Sequence, residues 1–370
     1  MFLLLRLGLG NSTPDKEDIS LLQAFTQAQW EALEATAQSQ GVAGIVLDGI
    51  DSIQLSGLQL TGLPKRLRLE WIGQVLQNYE ARNMQQLLVI DSVQKEWAKE
   101  GIRTMIMKGQ AMGTYYPEPK HRSPGDIDCY LFYDNDNDNR SWGDAYRKGN
   151  EVAKSFADSV DEGWYKHSQI FFGGQMLENH QYFVHTREGK SSKELNQLLV
   201  DQLKGDSSGF GLLSTTSAFL PPPMFNALFL TYHALTHFLE EGLKLKQLLD
   251  WAMFLKRDAD KVDWEKFYRL CDQFHMHRFA DVMTDIAVHY LGVELDNPAI
   301  SCTSAYTEKV LQSTLYDKDY VFGSGQTGWA NRWHIVRNLW KYRWKYHQIY
   351  QHGILRQLWF YATGYIFKTE

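Results

Sequence analysis

The sequence predicts an α+β protein, a small mixed β-sheet core flanked by helical regions, on three observations. Apolar residues recur at helical spacing through the first hundred residues. Short β-prone runs punctuated by glycine and proline then take over. Helical spacing returns after Pro221-Pro222-Pro223. A chain of 370 residues with 44% hydrophobic content can form two or three domains. The breaks suggest a helical N-terminal region over 1–100, a sheet-bearing core over 101–205 and a helical domain over 206–370.

From Asp15 to about Gly101, Leu21, Leu22, Phe25, Trp30 and Leu33 set the helical period. Ser39-Gln40-Gly41 break it before Val42 to Ile50. Two further helices are predicted, Pro64 to Ala81 and Met84 to Glu100, with Gly101 in the C-cap position. The run IRTMIM, Ile102 to Met107, reads as a strand stopped at Lys108-Gly109. Gln110 to Tyr115 can form a helix that ends before Pro117 and Pro119. Asp126 to Tyr133 is a second strand, followed by a polar turn from Asp134 to Asn139. Trp164 to Phe172 and Gln175 to Val184 read as strands joined at Gly173-Gly174, a hairpin signal. Glu194 to Leu203 is read as helix.

Gly205 to Gly211 and the triple proline suit a domain junction. Helices are expected over Pro223 to Lys256, Trp264 to Phe274 and Arg278 to Leu291. Asp296 to Gly328 is turn-rich. Trp329 to Phe360 is mostly helical, with Trp329, Trp333, Trp340 and Trp344 among basic residues. Such mixing can serve a membrane surface, a sugar or single-stranded nucleic acid. More often a helix buries its rings and lets the basic side chains reach outward, and that reading is preferred.

Bulk composition narrows the function classes. The net charge of −6 gives no global electrostatic reason to expect nucleic acid as partner, although a local basic patch stays open. Cys129, Cys271 and Cys302 lie far apart and are odd in number, so a disulfide framework is not expected and buried free thiols are. The start MFLLLRLGLG lacks a basic n-region, and Arg6 interrupts its apolar run, which argues against a secretory signal. No stretch approaches the ~20 apolar residues of a membrane span. A cytoplasmic location is the expectation.

The chemistry lies in KGQAMGTYYPEPKHRSPGDIDCYL, Lys108 to Leu131. Strand alternation puts Asp126 and Asp128 on one face and Ile127 and Cys129 on the other. Two such carboxylates repel each other unless a divalent cation is shared between them, and hard oxygen donors suit Mg²⁺. Upstream, a strand ends in a glycine that leads into a helix, where backbone can approach a phosphate closely.

The order of strand, glycine turn, helix and Asp-Ile-Asp strand resembles the nucleotidyltransferase core shared with DNA polymerase β. KGQAM, YYPEP, Arg122 and DIDCYL together resemble a family of uncharacterised bacterial nucleotidyltransferases within that superfamily. Glu178-Asn179-His180 matches its later acidic residue, spacer and histidine. HALTHFLEEGLKLKQLLDWAMFL, from His233, resembles its helical signature. The resemblance implies that Asp126, Asp128 and Glu178 hold Mg²⁺ or Mn²⁺ and are catalytic. It implies that Lys108, Gly109, Gln110, Arg122 and His180 serve the nucleotide. The reaction would move a nucleoside monophosphate from an NTP to an unidentified hydroxyl-type acceptor, in a cleft between the core and the helical domain. The superfamily's glycine–serine pair is Gly109-Gln110 here, and the family's arginine is Lys246. The missing serine supports an alternative, a non-catalytic nucleotide-binding or regulatory module of the same fold.

Two weaker patterns are read structurally. Asp134, Asp136 and Asp138 alternate as in a calcium loop but lack its glycine and glutamate, so a solvated turn is expected. His233 and His237 share a helix face, but no glutamate follows His233, and helix packing is favoured over zinc.

Overall fold

A computed structural model of the chain describes residues 1–58, 60, 62–133, 142–186, 189–204, 210–317 and 328–351. The acidic turn from Asp134 to Asn139, most of the glycine-rich break after Gly205 and the stretch from 352 to Phe360 lie outside the described residues. The fold is mixed α+β, with a five-stranded sheet. Residue contacts divide it into two compact units, Met1–Asn226 and Ala227–Glu370.

The first unit opens with α1 (Phe2–Gly8), α2 (Lys16–Gln23), α3 (Gln27–Ser39) and α4 (Ala43–Leu55). The leader-like start is therefore a core helix, which the sequence reading began too late to include. Leu4, Leu5 and Leu7 are buried on it. A Cβ on Gly49 would lie 2.1 Å from the Leu4 carbonyl, so α1 and α4 touch backbone to backbone. A capping box at Thr26 and Gln29 starts α3.

The two helices expected over Pro64 to Glu100 are one run. It comprises α5 (Lys65–Val75), a π-helical turn (Leu76–Glu80) and α6 (Ala81–Lys99), with right-handed helical backbone at both junctions. An added residue in one turn shifts the helix face without breaking the helix.

The sheet-bearing part is β1 (Ile102–Met107), α7 (Gly109–Gly113), a 3₁₀ turn (Pro119–His121), β2 (Ile127–Tyr133), α8 (Trp142–Ala153), β3 (Ser159–Asp161), β4 (His167–Phe172), β5 (Gln175–His180) and α9 (Lys190–Asp201). The strand order is β1-β2-β5-β4-β3. The central pair β2 and β5 is parallel and the other neighbours are antiparallel. Gly173 and Gly174 both have positive φ, as the tight hairpin between β4 and β5 needs.

Two corrections concern these strands. β5 ends at His180 rather than Val184 because the Gln181 and Tyr182 amides turn to the Lys166 carbonyl. The Phe183 amide then donates to Asn196 Oδ1. Helix α8 was not anticipated; its Gly143 and Gly149 weaken helix propensity, and burial against the sheet supplies what propensity does not.

One sheet face is apolar. Ile102, Ile106, Ile127, Cys129, Leu131, Ile170 and Leu177 form a core with Val89, Ile90, Val93 and Trp97 of α6 and Ala145 and Ala153 of α8. Trp97 Nε1 donates to the Gly149 carbonyl at 3.0 Å. Below Ile127 and Cys129 in alternation, Asp126 and Asp128 belong to the opposite face. The outer edge of β1 is covered by Phe219, whose backbone bonds both ways to Thr104 and Ile106.

The second unit is helical, with most of α10 (Pro223–Glu240), then α11 (Leu245–Asp258), α12 (Trp264–Gln273), α13 (His277–Asp285), a π-helical turn (Ile286–Tyr290), α14 (Thr307–Tyr316) and α15 (Gly328–Lys341). The single helix expected over Pro223 to Lys256 is interrupted at Gly242, which has φ +92°. Trp251, Phe254, Phe267 and Phe279 are fully buried in its core. Of the tryptophans in the basic aromatic run, Trp333 and Trp340 are exposed, against expectation, and Trp344 is half-buried against Phe238; Tyr342 and Tyr346 are buried. The rings of His233 and His237 pack edge to face. Cys129 and Cys271 are buried free thiols and Cys302 is half-buried. Among the described residues no helix is long and apolar enough to cross a membrane.

Candidate active site

The sheet register creates the site. Asp128 on β2 lies directly beside Glu178 on β5. Met107 flanks Asp128 on the other side, so the residue after it, Lys108, leaves β1 next to Asp128. His167 on β4 lies opposite His180 on β5. Asp126 sits just ahead of β2, exposed to solvent.

These side chains form a continuous polar row. Lys108 Nζ is 2.7 Å from Asp128 Oδ1. His180 Nε2 is 3.0 Å from the same oxygen and 3.5 Å from Glu178 Oε2. His167 Nε2 is 3.3 Å from Glu178 Oε1. The His180 side chain is 1% exposed and that of Asp128 8%, so little water screens their interaction.

The acidities follow from this packing. Burial pushes the Asp128 carboxyl up, but Lys108 and His180 outweigh it and hold the group well below the usual carboxylate range. Burial raises Glu178 too, and its hydrogen bond from His180 brings the balance below the ordinary value. Burial pushes the His167 imidazole down to about 4, against the pull of Glu178. Asp126 goes the other way: although the residue is open to solvent, the protein around its carboxyl, then the charges of Glu178 and Asp128, raise it. Three carboxylates thus act on one another, and the cations of the chain compensate two of them better than the third.

Local backbone sets the turn beside Asp126. Lys108 has φ +47° and ψ −134°, unusual for a residue with a side chain. Gly109 has φ +22°, and a Cβ there would lie 3.2 Å from the Asp126 carbonyl. The Lys108-Gly109 turn therefore abuts Asp126. Helix α7 has only five residues, so little helix dipole acts at this turn.

Gln110 and Arg122 are placed differently. The Gln110 side chain faces α6, donating to Asn83 Oδ1 at 2.7 Å and Gln86 Oε1 at 2.8 Å. Asn83 donates to the Lys120 and Arg122 carbonyls, and Gln86 to the Gly125 carbonyl at 2.6 Å. These amides hold the segment leading into β2. Arg122 is buried, with its guanidinium donating to the Ser123 carbonyl at 3.2 Å.

Sequence reasoning missed His167, Asn83 and Gln86. His167 was within reach: a two-residue turn at Gly173-Gly174 pairs Phe172 with Gln175 and, counting back, His167 with His180. Asn83 and Gln86 gave no signal, since polar residues on a helix ordinarily face water.

A cleft of about 700 Å³ opens beyond β5, lined by Tyr165, Tyr182, Thr186, Lys190 and Lys193 among others. Its Tyr182 carbonyl accepts from His180 Nδ1 at 3.2 Å, which ties the cleft wall to the polar row.

Neither a curated protein nor a solved structure matches the chain. A family model described as "Uncharacterised nucleotidyltransferase" matches residues 26–292, which includes every residue of the polar row. The match covers more than half of the sequence, and the chain belongs to this uncharacterised nucleotidyltransferase family.

Proposed function

We propose that the protein transfers a nucleoside monophosphate from an NTP to a hydroxyl-type acceptor, with Asp126, Asp128 and Glu178 holding Mg²⁺ or Mn²⁺. The observation that carries this reading is the side-by-side placement of Asp128 and Glu178 on parallel central strands, with the charge of Asp126 added to theirs. The donor set fits a hard dication. Three neighbouring carboxylates disfavour one another's ionisation, and a divalent ion relieves the repulsion that Lys108 and His180 compensate only in part.

When bound, the ion would neutralise triphosphate charge and make the acceptor hydroxyl more acidic. The chain's own groups do the rest. The Lys108 ammonium is a point charge for phosphate beside Asp128. The Gly109 turn abuts Asp126, and its backbone amide is the donor offered to a phosphate oxygen. His180 and His167 orient the Asp128 and Glu178 carboxylates and keep them ionised. The tyrosine- and lysine-lined cleft has the size of a small-molecule site and suits the nucleotide or the acceptor. As the acceptor oxygen gives up its proton to solvent and bonds to the α-phosphorus, the bond to the bridging oxygen breaks and pyrophosphate leaves with that electron pair.

Thermal melts with each of the four NTPs and Mg²⁺ or Mn²⁺ test the binding step. An NTP at a hundred times its Kd should stabilise the protein by about 2.7 kcal/mol. No stabilisation by any NTP with either ion would refute the reading. One observation favours the alternative of a non-catalytic module: Gln110, where the superfamily has serine, spends its side chain on α6. Binding of an NTP without pyrophosphate release in the presence of cell extract would support that alternative.

A further inference from the structure

The strands β4 and β5 present two imidazoles to one carboxylate. The candidate donor atoms of His167, Glu178 and His180 all lie within 4.8 Å of one another. The imidazole-to-carboxylate spacings are 3.3 Å for His167 and 3.5 Å for His180. Donors bonded at ~2.0–2.2 Å to one tetrahedral or octahedral ion stand about 3–3.5 Å apart. Both imidazole-to-carboxylate spacings fall in that range, each on a different oxygen of Glu178, and the whole donor set lies within 4.8 Å.

Hydrogen bonding supplies a second, independent observation. His180 Nδ1 lies 3.2 Å from the Tyr182 carbonyl oxygen. A carbonyl only accepts, so Nδ1 carries a proton. Nε2, the other ring nitrogen, faces Asp128 Oδ1 at 3.0 Å and Glu178 Oε2 at 3.5 Å. A dication bound there would take the place of the Nε2 proton that those carboxylates accept. A backbone carbonyl on the far nitrogen is also how proteins fix the tautomer and orientation of a ligating histidine.

We infer that His167, Glu178 and His180 form a mixed nitrogen–oxygen site that takes a transition-metal dication in preference to Mg²⁺. The inference rests on the reading of Glu178 as a metal ligand and gives that ligand a second environment. Imidazole nitrogen suits Mn²⁺, Co²⁺ or Zn²⁺, whereas Mg²⁺ prefers a shell of oxygen donors and water. His180 then serves the metal rather than the nucleotide directly.

The test is a titration of the metal-stripped full-length protein with Co²⁺, followed by its visible d–d absorption. One Co²⁺ per chain should bind and stay bound in a roughly hundredfold excess of Mg²⁺. His167→Gln and His180→Gln should each weaken Co²⁺ binding by at least the ~10–100-fold that loss of an outer partner costs. His277→Gln removes an imidazole of the helical unit that pairs with Asp272 and should leave binding unchanged. If His180→Gln fails to fold, as circular dichroism would show, the wild-type competition and the His167 variant still decide. Displacement of Co²⁺ by that excess of Mg²⁺, or wild-type affinity in His167→Gln, would overturn the inference. Nucleotidyl transfer with Mg²⁺ and no Co²⁺ preference would remove this site and leave the catalytic reading. Tight Co²⁺ binding without transfer from any NTP would do the reverse.

Discussion

Lys108 carries two burdens at once. Its backbone is in a region that costs on the order of 1–3 kcal/mol for a residue with a side chain, and its ammonium pairs with a nearly buried carboxylate at 2.7 Å. Lys108→Ala keeps the strain and leaves Asp128 beside Glu178 with less compensation. We predict a loss of about 3 kcal/mol in the metal-free protein by urea unfolding, as for other broken buried pairs. The deficit should narrow in millimolar Mn²⁺, which takes over part of the charge; an equal deficit with and without the ion would contradict the shared electrostatic site. Asp126→Asn should act oppositely. It removes a carboxylate raised by burial and by Glu178 and Asp128, so the metal-free protein should become slightly more stable while metal affinity falls. Calorimetric melts with and without Mn²⁺ check both halves.

The residues legible in the sequence were those whose placement follows from strand period. Alternation alone puts Asp126 with Asp128 and Glu178 with His180; that the two pairs meet depends on the β2–β5 pairing, which only the family resemblance implied. Gln110 and Arg122 were beyond such reasoning. Their surroundings depend on Asn83, 27 residues before Gln110 and 39 before Arg122. His167 stands between the two cases, fixed by the hairpin register but visible only when that register is counted.

At the scale of elements, the segment that feeds β2 is clamped to the helices before it. His121 Nδ1 meets Asp48 of α4 at 2.6 Å, and its Nε2 meets Glu80 of the π-helical turn at 3.3 Å. Burial opposes the charged ring, yet the bonds to Asp48 and Glu80 win and raise the imidazole to about 9. Asp48 itself is pushed up by burial despite its partner, so the pair is worth less than the His121 shift alone implies. The folded imidazole is more basic than the unfolded one. Its stabilisation is therefore complete below pH about 6.5 and is lost as pH rises through about 9. Urea midpoints of wild type and His121→Gln should differ by on the order of 2 kcal/mol at pH 6 and converge by pH 10. A pH-independent gap would mean that the clamp is not ionic.

The π-helical turn that carries Glu80 was not legible, because both flanking helices have ordinary periods and only their phase differs. The strands β1 and β2 and the hairpin were legible, since glycine turns and β-branched or apolar alternation mark them. Helix α8 was hidden by its two glycines. Gly109 deserves a variant of its own: Gly109→Ala meets both the positive φ and the Asp126 carbonyl at 3.2 Å. It should cost about 1–2 kcal/mol in stability and weaken NTP binding as Asp126 is displaced. Wild-type NTP affinity in a folded Gly109→Ala protein would separate the turn from the nucleotide.

For the whole molecule, the α+β class was legible from the switch of hydrophobic period, and the family from several motifs in order. The boundary between compact units at Asn226 lies just past the triple proline that reads as a break, and the backbone of Phe219 ahead of it pairs with β1. The central claim is that this sheet carries a metal-dependent nucleotidyl transfer centre. It is tested most directly by incubating the protein with cell extract, Mg²⁺ or Mn²⁺ and NTPs labelled on either the α- or the γ-phosphate. The account predicts label from the α-phosphate in an extract component, pyrophosphate in equal amount, and neither with the Asp126→Asn/Asp128→Asn double variant. Transfer of the γ-label instead, or undiminished α-label with the double variant, would contradict it.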